Sequence, residues 1–101
     1  MAKNLIIRPE AEEDIAETYE WYESKEKGLG DDYITEVENL LNRIQENPKL
    51  FIKLIGELRR ALTKRFPYCI YFLDSTNDIV VLGVLHQRRR PAEWQQRFQE
   101  L

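Results

Sequence analysis

The chain of 101 residues contains one cysteine, one histidine and one methionine, and only four glycines and four prolines. Each shortage excludes something. A lone Cys69 forms no internal disulfide, so a hydrophobic core has to hold the fold, and a cytoplasmic location is expected. One Cys and one His are too few for a zinc cluster. The glycines are scattered, so no Gly-rich string is present to cradle a nucleotide phosphate. No apolar run approaches the length of a membrane span. Met1-Ala2-Lys3-Asn4 leads into only three apolar residues, which is too few for a signal peptide. Repeats, low-complexity tracts and internal linkers are missing as well. These exclusions leave a single domain over residues 1–101, with no cofactor and no membrane partner expected.

What is present is an uneven distribution of charge. The formal net charge is −3. Residues 1–50 carry 6 Lys and Arg against 13 Asp and Glu, whereas residues 51–101 carry 9 against 5. An acidic half is joined to a basic half. The basic half ends in a dense group. Ile79-Val80-Val81-Leu82-Gly83-Val84-Leu85 reads as a buried strand, and His86-Gln87-Arg88-Arg89-Arg90-Pro91 follows at once. Adjacent guanidiniums repel one another unless an anionic partner lies nearby, and their planar forks suit phosphate and carboxylate.

The periodicity orders the rest. Leu5-Ile6-Ile7 is a short strand. Pro9 is suited to open a helix, whose inner face is Ala11, Ile15, Tyr19 and Tyr22. Lys25 and Lys27 lie near its end, with Gly28 as a C-terminal cap. A second helix is expected after Gly30, capped by Asp31 or Asp32, with Tyr33, Val37, Leu40, Leu41 and Ile44 as its apolar stripe and Asn47-Pro48 as its stop. Glu36, Glu38 and Glu46 are expected on its outer side. Residues 49–55 read as irregular. Strands are expected over 58–64, 66–73 and 79–85, and Pro91 opens a short helix over 92–100. The order β-α-α-β-β-β predicts an α+β fold, with an antiparallel helical hairpin on one face of an antiparallel sheet and the other face partly open.

Few residues offer chemistry. The carboxylates sit at spacings expected of solvated helix faces, and no acid pair stands out. The basic set comprises Arg59, Arg60, Lys64 and Arg65 on the strands, with His86, Arg88, Arg89 and Arg90 after the last strand. These are expected to gather on one electropositive surface opposite the helices. His86 is the side chain suited to proton transfer near neutral pH, or else it caps a strand end. Trp94 is expected to pack the terminal helix, with stacking on a partner as the alternative.

The ordered set Ala11…Asp14-Ile15, Pro48, Leu58-Arg59-Arg60, Phe66-Pro67-Tyr68…Tyr71-Phe72 and Ile79…His86-Gln87-Arg88-Arg89-Arg90-Pro91…Trp94…Arg97 resembles the RelE/ParE superfamily of toxins. These are the stable halves of type II toxin–antitoxin, or plasmid stabilisation, modules. The residue before the proline is often acidic in that family and is Arg90 here. RelE-like members are described as ribosome-dependent mRNA endonucleases that use basic sheet residues and a C-terminal tyrosine or histidine. Arg60 and Arg88 or Arg89 match that set, but Leu62, Cys69 and Trp94 fall where a basic residue, a basic residue and the tyrosine are usual. The His86-x-x-Arg89 pattern looks more like the ParE branch, described as binding DNA gyrase. The resemblance therefore implies a binding toxin rather than an enzyme, held by a cognate antitoxin in a hetero-oligomer. Arg59, Arg60, Arg65, His86, Arg88, Arg89, Arg90, Trp94 and Arg97 would engage target or antitoxin. The alternative is an endoribonuclease acting with the ribosome on mRNA, in which His86 is the acid or base and Arg60 and Arg89 hold the phosphate. A non-toxic interaction module with the same fold is the second alternative.

Overall fold

The structure is a computed structural model that describes residues 3–88 together with Gln95, Gln96 and Phe98. Strand β1 (Asn4–Ile7) is followed by helices α1 (Pro9–Lys25) and α2 (Leu29–Glu46), a 3-10 turn over Pro48–Leu50, and strands β2 (Ile52–Ile55), β3 (Leu58–Leu62), β4 (Tyr68–Asp74) and β5 (Asp78–His86). Five strands form one sheet in the order β1-β5-β4-β3-β2. The four later strands run as an antiparallel meander, while β1 pairs with β5 in parallel. The α+β class is as expected. The sheet is mixed rather than wholly antiparallel, because the helical hairpin carries the chain away from β1 and the meander returns beside it in the same sense.

Pro9 occupies the first turn of α1, where its missing N–H costs no hydrogen bond. The predicted inner faces hold. Ala11 is fully buried, and Ile15, Tyr19 and Tyr22 pack against the same core as Tyr33, Val37, Leu40, Leu41 and Ile44 of α2. The start of α2 differs from expectation. Gly28, at φ +89°, is its N-cap rather than the end of α1, and neither Asp31 nor Asp32 caps the helix. The orphan amides go instead to Glu23, whose carboxylate accepts the Gly28 and Gly30 N–H groups at 3.0–3.1 Å. Gly30 permits the tight turn between helices, since a Cβ there would lie 2.7 Å from the Tyr19 carbonyl oxygen.

Residues 49–55 are not irregular. They supply the 3-10 turn and β2, an edge strand whose side chains are mostly exposed, so no alternation marks it in sequence. The third and fourth strands are shorter than expected because residues 63–67 form the turn between them. Glu36 does not face solvent as an idle charge. Its carboxylate accepts the N–H groups of Lys64, Arg65 and Phe66 at 2.7–3.2 Å and ties α2 to that turn. Asp14 performs a similar task for α1, accepting the Val84 N–H at 3.0 Å on the edge of β5 beyond the end of β1.

The sheet is covered on both sides. Ala61, Ile70, Phe72, Ile79, Val81 and Val84 face the helices. Leu58, Cys69, Tyr71, Leu82 and Leu85 form a second core on the other face, where Phe98 packs at 5.2 Å from the Tyr71 ring. Two-sided burial explains why β5 reads as a continuous apolar run. Gln95, Gln96 and Phe98 are helical, in keeping with the helix expected over 92–100, whose other residues lie outside the described ones.

Candidate functional site

The basic residues do not all gather on one surface. Arg59 and Arg60 are neighbours on β3, and neighbours on a strand point to opposite faces. Arg59 donates to the Phe51 carbonyl at 2.9 Å and lies 3.8 Å from the Asp74 carboxylate, which also pairs with Lys3. The Asp74 side chain is only 2% exposed, so this is a buried structural charge network. Arg65, in the turn after β3, pairs with Asp32 at 3.1 Å and lies over the Phe66 ring. Both guanidiniums are therefore already neutralised by this molecule's own acids.

Arg60 is placed differently. It sits opposite Tyr71 in register, on the face away from the helices, beside Cys69. Its guanidinium lies close enough to the Tyr71 hydroxyl to favour the ionised phenol, while its buried Nε finds no partner. Among the described residues no carboxylate lies within ion-pair distance of it. Burial pushes the Tyr71 hydroxyl up to about 12, with neighbouring Cys69 adding to the effect and Arg60 opposing it. Burial likewise raises the Cys69 thiol, against a smaller opposing pull from Arg60. A thiol held protonated is a poor nucleophile, so Cys69 is a packing residue here.

His86 closes β5 opposite Tyr68 and lies on the helix side of the sheet. Its ring packs edge-to-face with Tyr68 at 5.3 Å. Its Nδ1 accepts the Arg88 N–H at 3.0 Å, which places the proton of the neutral ring on Nε2. Arg88 itself is exposed, with no carboxylate within ion-pair distance among the described residues. Arg60 and His86 thus occupy opposite faces of the sheet, and one phosphate cannot be held between them. Arg89, Arg90, Trp94 and Arg97 lie outside the described residues.

Two features escaped the sequence reading. The first is an apolar edge. Ile52 (59% exposed) and Ile55 (67%) on β2, Leu50 (74%) before it and Leu62 (50%) on β3 leave large side chains in water around the sheet edge formed by β2, whose outer side is unpaired among the described residues. The second is an aromatic groove of about 400 Å³ lined by Glu17, Thr18, Trp21, Tyr22, Tyr68 and His86. Neither is periodic, and each joins residues from distant segments. Among the described residues no group of His, Cys, Asp and Glu is arranged to hold a metal ion, and no helix is long and apolar enough to cross a membrane.

Comparison with known proteins agrees with this architecture. Residues 5–91 match the family described as the ParE toxin of the type II toxin–antitoxin system parDE. A solved structure, of a chromosomal ParDE toxin–antitoxin system from P. aeruginosa, superposes with a TM-score of 0.74 at 13% identity, covering 84% of this chain and 96% of that one. At that identity the likeness speaks for the fold alone. No curated protein sequence matches the chain.

Proposed function

The chain belongs to the ParE toxin family of type II toxin–antitoxin systems, and from that premise we propose that it acts in the cytoplasm by binding, with DNA gyrase as target and a cognate antitoxin as inhibitor. The observation that carries the choice of binding over cleavage is the placement of Arg60 and His86 on opposite sheet faces. Phosphate cleavage needs a proton-transfer group and charge-stabilising cations around one phosphorus. The fold separates the two candidates instead.

Among the described members of the basic set, Arg60 and Arg88 are the guanidiniums without an ion-pair partner, and we extend the partner surface from Arg88 to Arg89, Arg90, Trp94 and Arg97, which follow it in sequence. Arg88 lies two residues past the end of β5, exposed and without an acid of its own among the described residues. Arg59 and Arg65 contribute through the fold, by holding strand and turn. An antitoxin segment with carboxylates would neutralise the free guanidiniums through charge-assisted bonds. The apolar edge of β2 offers the same segment an apolar strip and unpaired backbone groups.

The test is gyrase supercoiling with and without purified protein, followed by addition of the antitoxin. Inhibition that Arg88→Ala weakens and antitoxin abolishes is expected. Unchanged supercoiling at excess protein rules out gyrase. Codon-phased cuts on translating ribosomes would put the endonuclease alternative in its place. Normal growth of an antitoxin-free host making folded protein would leave the non-toxic module.

A further inference from the structure

The aromatic groove at the His86 end belongs to neither the free arginines nor the apolar edge, and its chemistry is of the opposite sign. One wall comes from α1, which contributes Glu17, Thr18, Trp21 and Tyr22; the other comes from Tyr68 at the start of β4 and His86 at the end of β5. Four rings therefore line one opening. Trp21 packs edge-to-face with Tyr22 at 5.0 Å, Tyr22 with Tyr68 at 6.2 Å and Tyr68 with His86 at 5.3 Å. Trp21 is 55% exposed, an unusual amount of indole to leave in water. Burial, with the neighbouring Tyr68 hydroxyl adding to it, raises the Tyr22 phenol above its ordinary value.

The surrounding charge selects the ligand. Helix α1 carries Glu10, Glu12, Glu13, Asp14, Glu17, Glu20 and Glu23 against a single base, Lys25. That base is itself instructive, because its ammonium sits 5.0 Å from the centre of the Trp21 ring. The ring's negative π-face already holds a cation drawn from the same helix. The Nδ1 of His86 is already taken, since it accepts the Arg88 N–H at 3.0 Å. Arg88, though only two residues away, is not among the lining residues.

The geometry points to this groove as a binding site for an arginine side chain presented by a basic segment of a protein partner. The planar guanidinium stacks on the indole and phenol rings while its N–H fork bonds the Glu17 carboxylate, a combination that a compact ammonium matches less well. The site is independent of the gyrase proposal, since it draws on the acidic helix rather than on the C-terminal arginines.

The experiment is a titration of the isotope-labelled full chain with N-acetyl-arginine amide, followed by amide shifts at Thr18, Tyr68 and His86. N-acetyl-citrulline amide, of the same shape and without charge, and N-acetyl-lysine amide are the controls. Saturable shifts confined to the groove are expected with arginine, with lysine weaker and citrulline silent. Glu17→Gln and Trp21→Ala, both at exposed positions, should each weaken binding about fivefold, whereas Arg60→Met on the other sheet face should leave it unchanged. Absence of saturable shifts, equal binding of citrulline or lysine, or wild-type affinity in both groove variants overturns the assignment.

Discussion

Replacing Gly30 by alanine sets two effects of opposite sign against each other. Helix propensity alone favours the change by up to about 1 kcal/mol, and less in the first turn, where Gly30 lies. Packing opposes it. The new methyl would sit 2.7 Å from the Tyr19 carbonyl oxygen and 2.8–2.9 Å from the edge of its ring. The ring can swing aside, but the carbonyl belongs to the α1 backbone and moves only with the helix. Forcing α1 and α2 apart costs about 1–3 kcal/mol by analogy with overpacked cores. It also pulls the Glu23 carboxylate from the Gly28 and Gly30 amides, a capping loss of about 1 kcal/mol. The net expectation is a destabilisation of about 1–3 kcal/mol. For a domain of this size each kcal/mol lowers Tm by roughly 4–8 °C. Thermal unfolding followed by circular dichroism measures it. Gly28→Ala is the control, because nothing lies within 4 Å of that Cβ and its cost of about 1 kcal/mol arises from φ +89° alone. A Tm for Gly30→Ala equal to or above wild type would show that propensity wins and that the helices are not in the contact described.

Further outcomes follow from the same structure. Glu36→Gln leaves three turn amides to a weaker, uncharged acceptor and should cost about 1–3 kcal/mol in denaturant unfolding; a neutral result would mean the turn is held elsewhere. Asp74→Asn strands Lys3 and Arg59 without their shared carboxylate, and a loss of about 3 kcal/mol is expected, recovered in part by adding Arg59→Met to the same chain. The Tyr71 hydroxyl ionises at about 12 when folded, above its ordinary value of 10.0, so the folded state holds that proton more tightly than the unfolded one. Its stabilising contribution is therefore complete below pH 10 and disappears as pH rises through about 12, a window that Tyr71→Phe should flatten in spectrophotometric and unfolding titrations. In an antitoxin-free host, Arg88→Ala should relieve growth inhibition while Arg59→Met, if folded, should retain it; the reverse order would move the target surface to β3.

Residue pattern alone determined most of the architecture. Apolar residues at helical spacing marked the faces of α1 and α2, and the unbroken apolar run from Ile79 marked a buried strand, because burial demands those side chains wherever the elements pack; that the face away from the helices, expected to be partly open, carries a second core was not foreseen. Edge strand β2 was not legible, since an element with exposed side chains carries no burial pattern to read. Nor was the work of Glu23, Glu36 and Asp14, whose carboxylates reach backbone amides that no spacing rule connects. The candidate site divides the same way. Sequence shows how many cations there are, and the registry of β3 with β4 and β5 decides where each one points. One-residue alternation sends Arg59 to Asp74 and Arg60 to Tyr71, and it turns His86 toward the acidic helix. Charge is a property of the residue, whereas whether that charge is already paired, free or walled by aromatic rings depends on which strands lie side by side, and only the folded chain sets that.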